Sequence, residues 1–217
     1  MSTPQVDRSH YEFSKYMTLE RWGSLWHQLD LSLKLQPDTI LEVGAGLGAY
    51  RKVIESYGPK VTTVDVAEDL KPDVVASVLE LPFDDGSFDV ACAFQVLEHL
   101  PYENFIPAVK ELARVARKAV LISLPDAKPV YPFRISIPGV GIRDFMIPRP
   151  YVRKKHVFDG QHYWEMNKKD TPVSLVVADI IRAGFPDVHH GRYVENLYHH
   201  FLSFGVRSHE SGSKQCL

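Results

Sequence analysis

Three glycines at alternate positions, Gly44, Gly46 and Gly48, punctuate the segment LEVGAGLGAY, between a short apolar run and the start of a helical pattern. Glycine lets backbone approach a ligand closely, and the first amides of the following helix point at the same spot. Glu42 stands just ahead of the turn, where a carboxylate can face a cation. Asp65 ends the next apolar run, about twenty residues on, where a carboxylate can accept two hydrogen bonds from a ribose diol. These residues suit a nucleoside-type cofactor. Gly44, Gly46 and Ala49 also satisfy G-x-G-x-x-G/A, so these ten residues alone fit a nicotinamide dehydrogenase equally well. A tight turn without a ligand is the bland reading, and the pairing with Asp65 weighs against it.

Groups that could move a proton lie further along. His99 follows Glu98 directly after the run FDVACAF, and HVFDGQHYWE (156–165) gathers His156, Asp159, His162, Trp164 and Glu165. His99 and His162 are the candidate catalytic bases; against that, His99 can simply fix its loop and His162 can anchor a lid. Zinc-type cysteine spacing is absent and no metal is expected. His189, His190, His199 and His200 fall in two late strands, where adjacent residues face opposite sides, so at most one of each pair is expected to face inward.

The elements that must position these groups follow from hydrophobic period. Leu19, Trp22, Trp26, Leu29 and Leu33 form one helical stripe over 18–35, with Thr18 as its cap. Strands are expected at 39–43, 60–65, 73–76, 88–94 and 119–124. Helices are expected over 49–57 and after Pro101, the latter with a stripe of Phe105, Val109, Leu112 and Ala116. Strands alternating with helices predict a parallel sheet covered on both faces. Thr171 and Pro172 restart a helix with Val173, Val176, Val177, Ile180 and Ile181 inward and Gly184 past its end. Strands near 186–194 and 198–206 are joined too tightly for a crossover and should be antiparallel neighbours. Residues 126–169, with five prolines and seven aromatics, show no clean period and read as an insertion.

Two further blocks separate the cofactors. LELPFDDGSFDV (79–90) and QVLEHL (95–100), together with Glu42 and the glycine turn, resemble class I S-adenosylmethionine-dependent methyltransferases, in particular the group reading LPF-x-D-x-x-F-D and then LEHL. The resemblance is close over 38–124 and loose elsewhere; dinucleotide dehydrogenases do not share these blocks, which makes an NAD-dependent oxidoreductase the weaker reading. The resemblance implies an α/β fold, Rossmann-like, with a seven-stranded mostly parallel sheet, helices on both faces and an antiparallel last strand. It implies S-adenosylmethionine as cofactor. Glu42, Gly44, Ala45, Gly46 and Gly48 would contact its methionine end, Asp65 its ribose, and Val66 its adenine. Phe94 and Gln95 would line the methyl region. Where the group often carries an aspartate for the adenine amino group this chain has Ser77, followed by Val78 and Leu79, which weakens that contact. A cofactor-binding regulatory or assembly protein without catalysis is the alternative.

The bulk composition is compatible with this. Of 217 residues, 45% are hydrophobic and 24% charged, and the formal net charge is −2, so no broad nucleic-acid footprint is expected. No run approaches the roughly 18 apolar residues of a membrane span. Two cysteines, Cys92 and Cys216, and an N-terminus unlike a signal peptide suit the cytoplasm. One domain is expected over 1–217: an N-terminal helical segment (1–37), a cofactor-binding half (38–124), an insertion or lid (126–169), a closing helix and strand pair (170–206) and a flexible tail (207–217). The lid holds nine Lys or Arg against four Asp or Glu, a local balance of +5 that leaves −7 for the remainder. Such a segment suits a small-molecule, saccharide-linked or lipid-linked acceptor with anionic character, methylated on oxygen or nitrogen, approaching past Tyr11, Phe13 and Tyr16.

Overall fold

The computed structural model describes residues 12–206; Tyr11, Cys216 and the tail from 207 lie outside them. A seven-stranded sheet forms the centre, in the order β3-β2-β1-β4-β5-β9-β8. These strands are β1 (Thr39–Val43), β2 (Lys60–Asp65), β3 (Val74–Val75), β4 (Phe88–Phe94), β5 (Ala116–Pro125), β8 (Val188–Tyr193) and β9 (Asn196–Gly205). β1 to β5 pair in parallel, and β9 runs antiparallel to both β5 and β8. This is the Rossmann-like sheet expected. Central strands buried on both faces need apolar residues at every position, and Ile40, Leu41, Val90, Ala91, Cys92 and Ala93 are all fully buried.

Helices cover both faces. α4 (Phe105–Val115) buries Phe105, Val109 and Leu112 against one, in a cluster with Ile122, Leu202 and Phe204. The short α3 (Ala49–Ile54) and α2 (Leu19–Lys34) cover the other with Leu25, Tyr50 and Ile54. α4 passes straight into β5, so Ala116 begins the strand instead of closing the helical stripe, and Pro101 precedes a 3-10 turn at 102–104.

Two expected burial patterns are corrected. On α2 the stripe is split: Leu19, Trp22 and Trp26 are exposed, Leu29 and Leu33 pack partly buried against the core, and Ser24, Leu25, His27 and Ser32 are buried. Of the buried hydroxyls, Ser32 donates to the Gln28 carbonyl and accepts from Tyr50 Oη at 2.6 Å, whereas Ser24 Oγ has no hydrogen-bond partner. On α5 (Val173–Arg182), Val176 and Ile180 are buried but Ile181 is exposed.

The largest departure is in 126–169. Instead of an aperiodic stretch, it opens with an antiparallel hairpin, β6 (Val130–Ile137) and β7 (Gly141–Pro148), forming its own two-stranded sheet. Gly139 and Gly141 take the positive φ values of 77° and 91° that the short connection needs. Pro132 and Pro148 disguise the strands in the sequence. A two-stranded sheet has only edges, so their missing N–H groups cost no ladder bond that a central strand would need. After the hairpin the chain returns to the core, where Trp164, Glu165, Met166 and Asn167 are buried. A parallel bridge between Asp126 and Met166 closes the excursion at its root. No helix among the described residues is long and apolar enough to cross a membrane.

Candidate functional site

The site is built at the carboxyl ends of β1, β2 and β4, where an open parallel sheet leaves a crevice. Past Val43 the chain turns through Gly44, Gly46 and Gly48 at φ of 72°, 53° and 70°, and Gly48 caps α3. All three values are left-handed, a region L side chains rarely enter. Gly44 N–H donates to the Val64 carbonyl at 2.7 Å, tying the turn to β2. A cavity of about 280 Å³ opens beside it, lined by Glu42, Gly44, Ala45 and Gly46, by Phe94 and Gln95 at the end of β4, and by residues of the N-terminal helices.

Glu42 is the electrostatic centre of this cavity. It is 5% exposed, and its Oε2 has no hydrogen-bond partner. Burial raises its pKa to about 8, with the nearby Arg51 charge opposing. A buried carboxyl with an unanswered oxygen is complementary to a cationic group delivered by a ligand. Asp65 lies next to the turn: its Oδ1 accepts from Ala67 N–H at 3.0 Å, and burial raises its pKa although backbone hydrogen bonds from Ala67, Gly46 and Val66 oppose the rise. Val66 and Ser77 are half-buried nearby in sequence. Ser77 Oγ accepts from Leu79 N–H at 3.2 Å, Leu79 is exposed, and Val78 is buried in the core cluster, so its side chain packs inward with Leu81.

The remaining wall comes from α1 (Phe13–Tyr16), α2 and β9, and it includes two groups that sequence reasoning did not single out. Arg21 places its guanidinium 4.1 Å from the centroid of the Tyr16 ring. His199 is buried, lines the cavity, and has no partner at Nδ1. Burial first, and the charge of Arg21 second, lower its pKa to about 3, so the ring is neutral at physiological pH. The signal for His199 was strand alternation, but both members of the pair are buried, because both faces of β9 are covered. His200 faces the other way, its Nδ1 2.8 Å from Asp126 Oδ2. His189 and His190 are exposed.

His99 and His162 are brought together, with ring centroids 5.1 Å apart, but neither is among the residues lining the cavity. His99 Nδ1 donates to the Gln161 carbonyl at 3.0 Å. His162 Nδ1 lies 3.3 Å from Glu165 Oε1, and its pKa is raised: burial opposes the charge, but Glu165 and Glu98 more than compensate. Glu165 also accepts from Tyr198 Oη at 2.5 Å and pairs with Lys168 at 3.2 Å, which together hold its pKa down to about 2 despite burial. Beneath them Glu98 is fully buried with both carboxylate oxygens unpartnered, and burial raises its pKa to about 8. Glu98, His99 and His162 offer donor atoms within 4.8 Å of one another, as do Asp159, His162 and Glu165, so these are the described residues that could hold a cation. Trp164 anchors this cluster from below: it is 3% exposed, packs on Tyr102 and Phe105, and donates Nε1–H to the Leu100 carbonyl at 3.1 Å.

The chain matches a family model described as a methyltransferase domain over residues 41–123. It is 26% identical over 123 residues to an uncharacterised protein of Methanocaldococcus jannaschii, covering 50% of this chain and 52% of that one. It is 30% identical over 102 residues to the 2-methyl-6-phytyl-1,4-hydroquinone methyltransferase of a Synechocystis strain, covering 41% of this chain and 31% of that enzyme. The match thus spans about half and about a third of these curated relatives. Among solved structures, the chain resembles the Burkholderia thailandensis 1,6-didemethyltoxoflavin-N1-methyltransferase bound to its substrate and S-adenosylhomocysteine. The TM-score is 0.55 at 15% identity, over 96% of this chain and 94% of that one. At this identity the likeness to the solved structure is one of fold, the mostly parallel seven-stranded sheet with flanking helices.

Proposed function

We propose that this chain is an S-adenosylmethionine-dependent methyltransferase that modifies oxygen or nitrogen on a small, anionic acceptor. The observation that carries the reading is the buried, unanswered Glu42 carboxyl beneath the Gly44–Gly48 turn, opening into the same cavity as Arg21 and His199. Glu42 would hold the amino group of the cofactor, and Asp65 would hold its ribose. Bound there, the cofactor would supply a methyl group on a sulfonium, a carbon already activated for displacement. Such chemistry needs mainly alignment of the acceptor with the methyl, and excluding water and fixing geometry can supply much of the rate.

The chain's own residues divide that task. Gly44 and Gly46 let the main chain come close, and Phe94 and Gln95 close the cavity at the end of β4. Arg21 of α2 and Lys52 of α3 are the Lys and Arg side chains among the described residues that line the cavity, and they would favour an acceptor with negative charge. His199, neutral, lining the cavity and unpartnered at Nδ1, would accept a hydrogen bond from an acceptor hydroxyl or amine and orient its lone pair. With so low a pKa it is a poor proton store, so its role is orientation more than general base catalysis. His99 and His162, outside the lining, would act on the acceptor only if it reaches past Tyr198.

Calorimetric titration with S-adenosylhomocysteine and with NAD tests the cofactor, and incubation with methyl-labelled cofactor and cell extract tests turnover. Binding of S-adenosylhomocysteine but not NAD, with label entering an acceptor, is the expected outcome. NAD binding without a response to S-adenosylhomocysteine would overturn the reading. Binding without label transfer under all acceptors would favour the regulatory alternative.

A further inference from the structure

The β6–β7 hairpin has two unlike faces. Opposed residues of an antiparallel pair lie on the same face, and neighbours along a strand alternate. The pairs Tyr131–Ile147, Phe133–Phe145, Ile135–Arg143 and Ile137–Gly141 therefore share one face. Arg134–Asp144, Pro132–Met146 and Ser136–Ile142 share the other, with Ile142 exposed near the tip. The second face is turned to the body. Arg134 forks onto Asp144 and reaches the carboxylate of Glu195, in the β8–β9 turn, which also holds His27 of α2 at 3.0 Å. The first face is thus turned to solvent, and all six of its large apolar side chains are exposed, between 38% and 53%. These six side chains form one exposed apolar patch, a kind of surface that on a monomer often has a use.

The charges around this face have one sign. Arg143 lies in the middle of it, and Arg149 sits 5.0 Å from the ring of Tyr131 at its base. Arg153 and Lys154 follow on the exposed strand-to-core connection. Among the described residues none of these four has a carboxylate partner within 4 Å. The only acid of the hairpin, Asp144, is on the opposite face and already paired with Arg134. Packing this face on a second copy would bury Arg143 with no acid on either side to answer it, which is costly. A surface of anionic phosphates over an apolar layer answers both features at once. The α2 side of the junction carries matching side chains. Trp26, edge-on to His27 at 4.9 Å, and Trp22 one turn earlier are exposed, and amphipathic rings of this kind favour a membrane–water boundary.

We propose that the hairpin is a membrane-docking device, whose Tyr131–Ile147 face enters the boundary layer of an anionic bilayer with Arg143, Arg149, Arg153 and Lys154 at the lipid phosphates. The inference concerns where the protein sits and is independent of methyl transfer. If the proposed activity also holds, the small anionic acceptor is one that the bilayer carries.

Co-sedimentation of the full chain with phosphatidylcholine vesicles, and with vesicles of phosphatidylcholine and phosphatidylserine, tests it. The protein should pellet with the mixed vesicles at least tenfold more than with phosphatidylcholine alone, and raised salt should release it. Phe133→Asp with Phe145→Asp, and separately Arg143→Glu with Arg149→Glu, should each abolish binding while leaving the melting temperature near that of the parent, because these side chains bury little. The arginine pair keeps the test decisive if the aspartate pair fails to fold. Trp22→Phe with Trp26→Phe should remove a vesicle-induced blue shift in tryptophan fluorescence. Protein left in the supernatant with mixed vesicles overturns the proposal, as does pelleting that both hairpin variants retain. A lipid-free dimer that Phe133→Asp dissociates would show a second copy on this face and would also overturn it.

Discussion

A Cβ atom placed on Gly44 would stand 2.3 Å from Cγ2 of Val96, so the glycine turn after β1 and the turn after β4 interlock with no room for a methyl group. The same residue has φ of 72° and donates its N–H to Val64. One position thus joins three strand ends at the mouth of the site. Gly44→Ala should lower S-adenosylhomocysteine affinity at least tenfold and also lower the melting temperature. Adding Val96→Ala should restore part of the stability, since it removes the clash and leaves the backbone strain of about 1 kcal/mol. Calorimetry and thermal melts on the single and double variants measure this; no recovery in the double variant would mean that the strain, not Val96, dominates.

Asp65 gives a narrower effect. Its Ala variant loses charge-assisted hydrogen bonds to the ribose worth roughly 1.5–3 kcal/mol, which predicts a tenfold to hundredfold loss of cofactor affinity. Because Asp65 also accepts from Ala67 N–H and the turn backbone, Asp65→Asn should keep more affinity than Asp65→Ala. Titration of both variants decides, and equal affinity for parent and Ala variant would reassign the carboxylate.

Glu42 and Glu98 make the free protein less stable as pH rises. Both have pKa values of about 8, raised by burial above an ordinary 4.5, so the folded state holds protons that the unfolded state has released. Between those values the unfolded chain binds fewer protons and stability falls with pH; above about 8 the loss is complete. Glu42→Gln and Glu98→Gln should each flatten melting temperature against pH over that window. A cation at Glu42 would lower its pKa, so binding S-adenosylhomocysteine at pH 7 should release about one proton. Calorimetry in two buffers of different ionisation enthalpy reads that release directly, and Glu42→Gln should abolish it.

The two aromatic-rich neighbours in HYWE should part company. Trp164 is core, and Trp164→Ala should cost about 3–5 kcal/mol, seen as a large drop in melting temperature. His162, half-buried over Glu165, should cost far less stability when changed to Ala. If the acceptor extends to Tyr198, turnover falls in His162→Ala with S-adenosylhomocysteine affinity within a few-fold. Unchanged turnover would confine the acceptor to the Arg21 and His199 side.

Asp126 is almost fully buried between His200 at 2.8 Å and Arg192 at 3.3 Å. Asp126→Asn should cost about 3–5 kcal/mol, because it leaves a buried guanidinium unanswered. Burial acts to raise the pKa of Asp126, but its partners outweigh that and hold it below the ordinary value. Its contribution is therefore complete above the unfolded value near 3.8 and is lost as pH falls through the folded one. Urea titrations at neutral and acidic pH should show the variant losing less than the parent on acidification.

Much of this was legible because the central sheet is coded by period: continuous apolar runs such as Val90–Phe94 have nowhere to go but a doubly covered sheet. Glu42 and the glycines were legible because a turn that approaches a ligand excludes side chains. The hairpin was missed although Tyr131, Phe133, Ile135 and Ile137 alternate perfectly well, because Pro132, Pro138 and Pro148 argue against strands that have neighbours, and these have only each other. The α2 stripe was seen, but not that only Leu29 and Leu33 of it pack on the core. Period gives the face, while Ser32 buries through hydrogen bonds to Gln28 and Tyr50 that no hydrophobicity pattern reveals. His199 escaped for a related reason: alternation separates it from His200, and only the tertiary cover on both sides of β9 buries the two.

The bridge between Asp126 and Met166 has a consequence for how such a chain can change over time. Ala127 N–H and Met166 N–H each reach across the root, at 2.9 and 2.8 Å, and above it Arg149 N–H donates to the Pro129 carbonyl at 3.1 Å, so the hairpin between Pro129 and Arg149 stands on a closed base. Closing a loop costs only slowly more as it lengthens. An exchange limited to the β6–β7 hairpin therefore leaves Trp164 in the core and the cavity lining in place. The base behaves as a socket, and a chimera carrying a foreign hairpin on it should keep the parent's melting temperature and S-adenosylhomocysteine affinity.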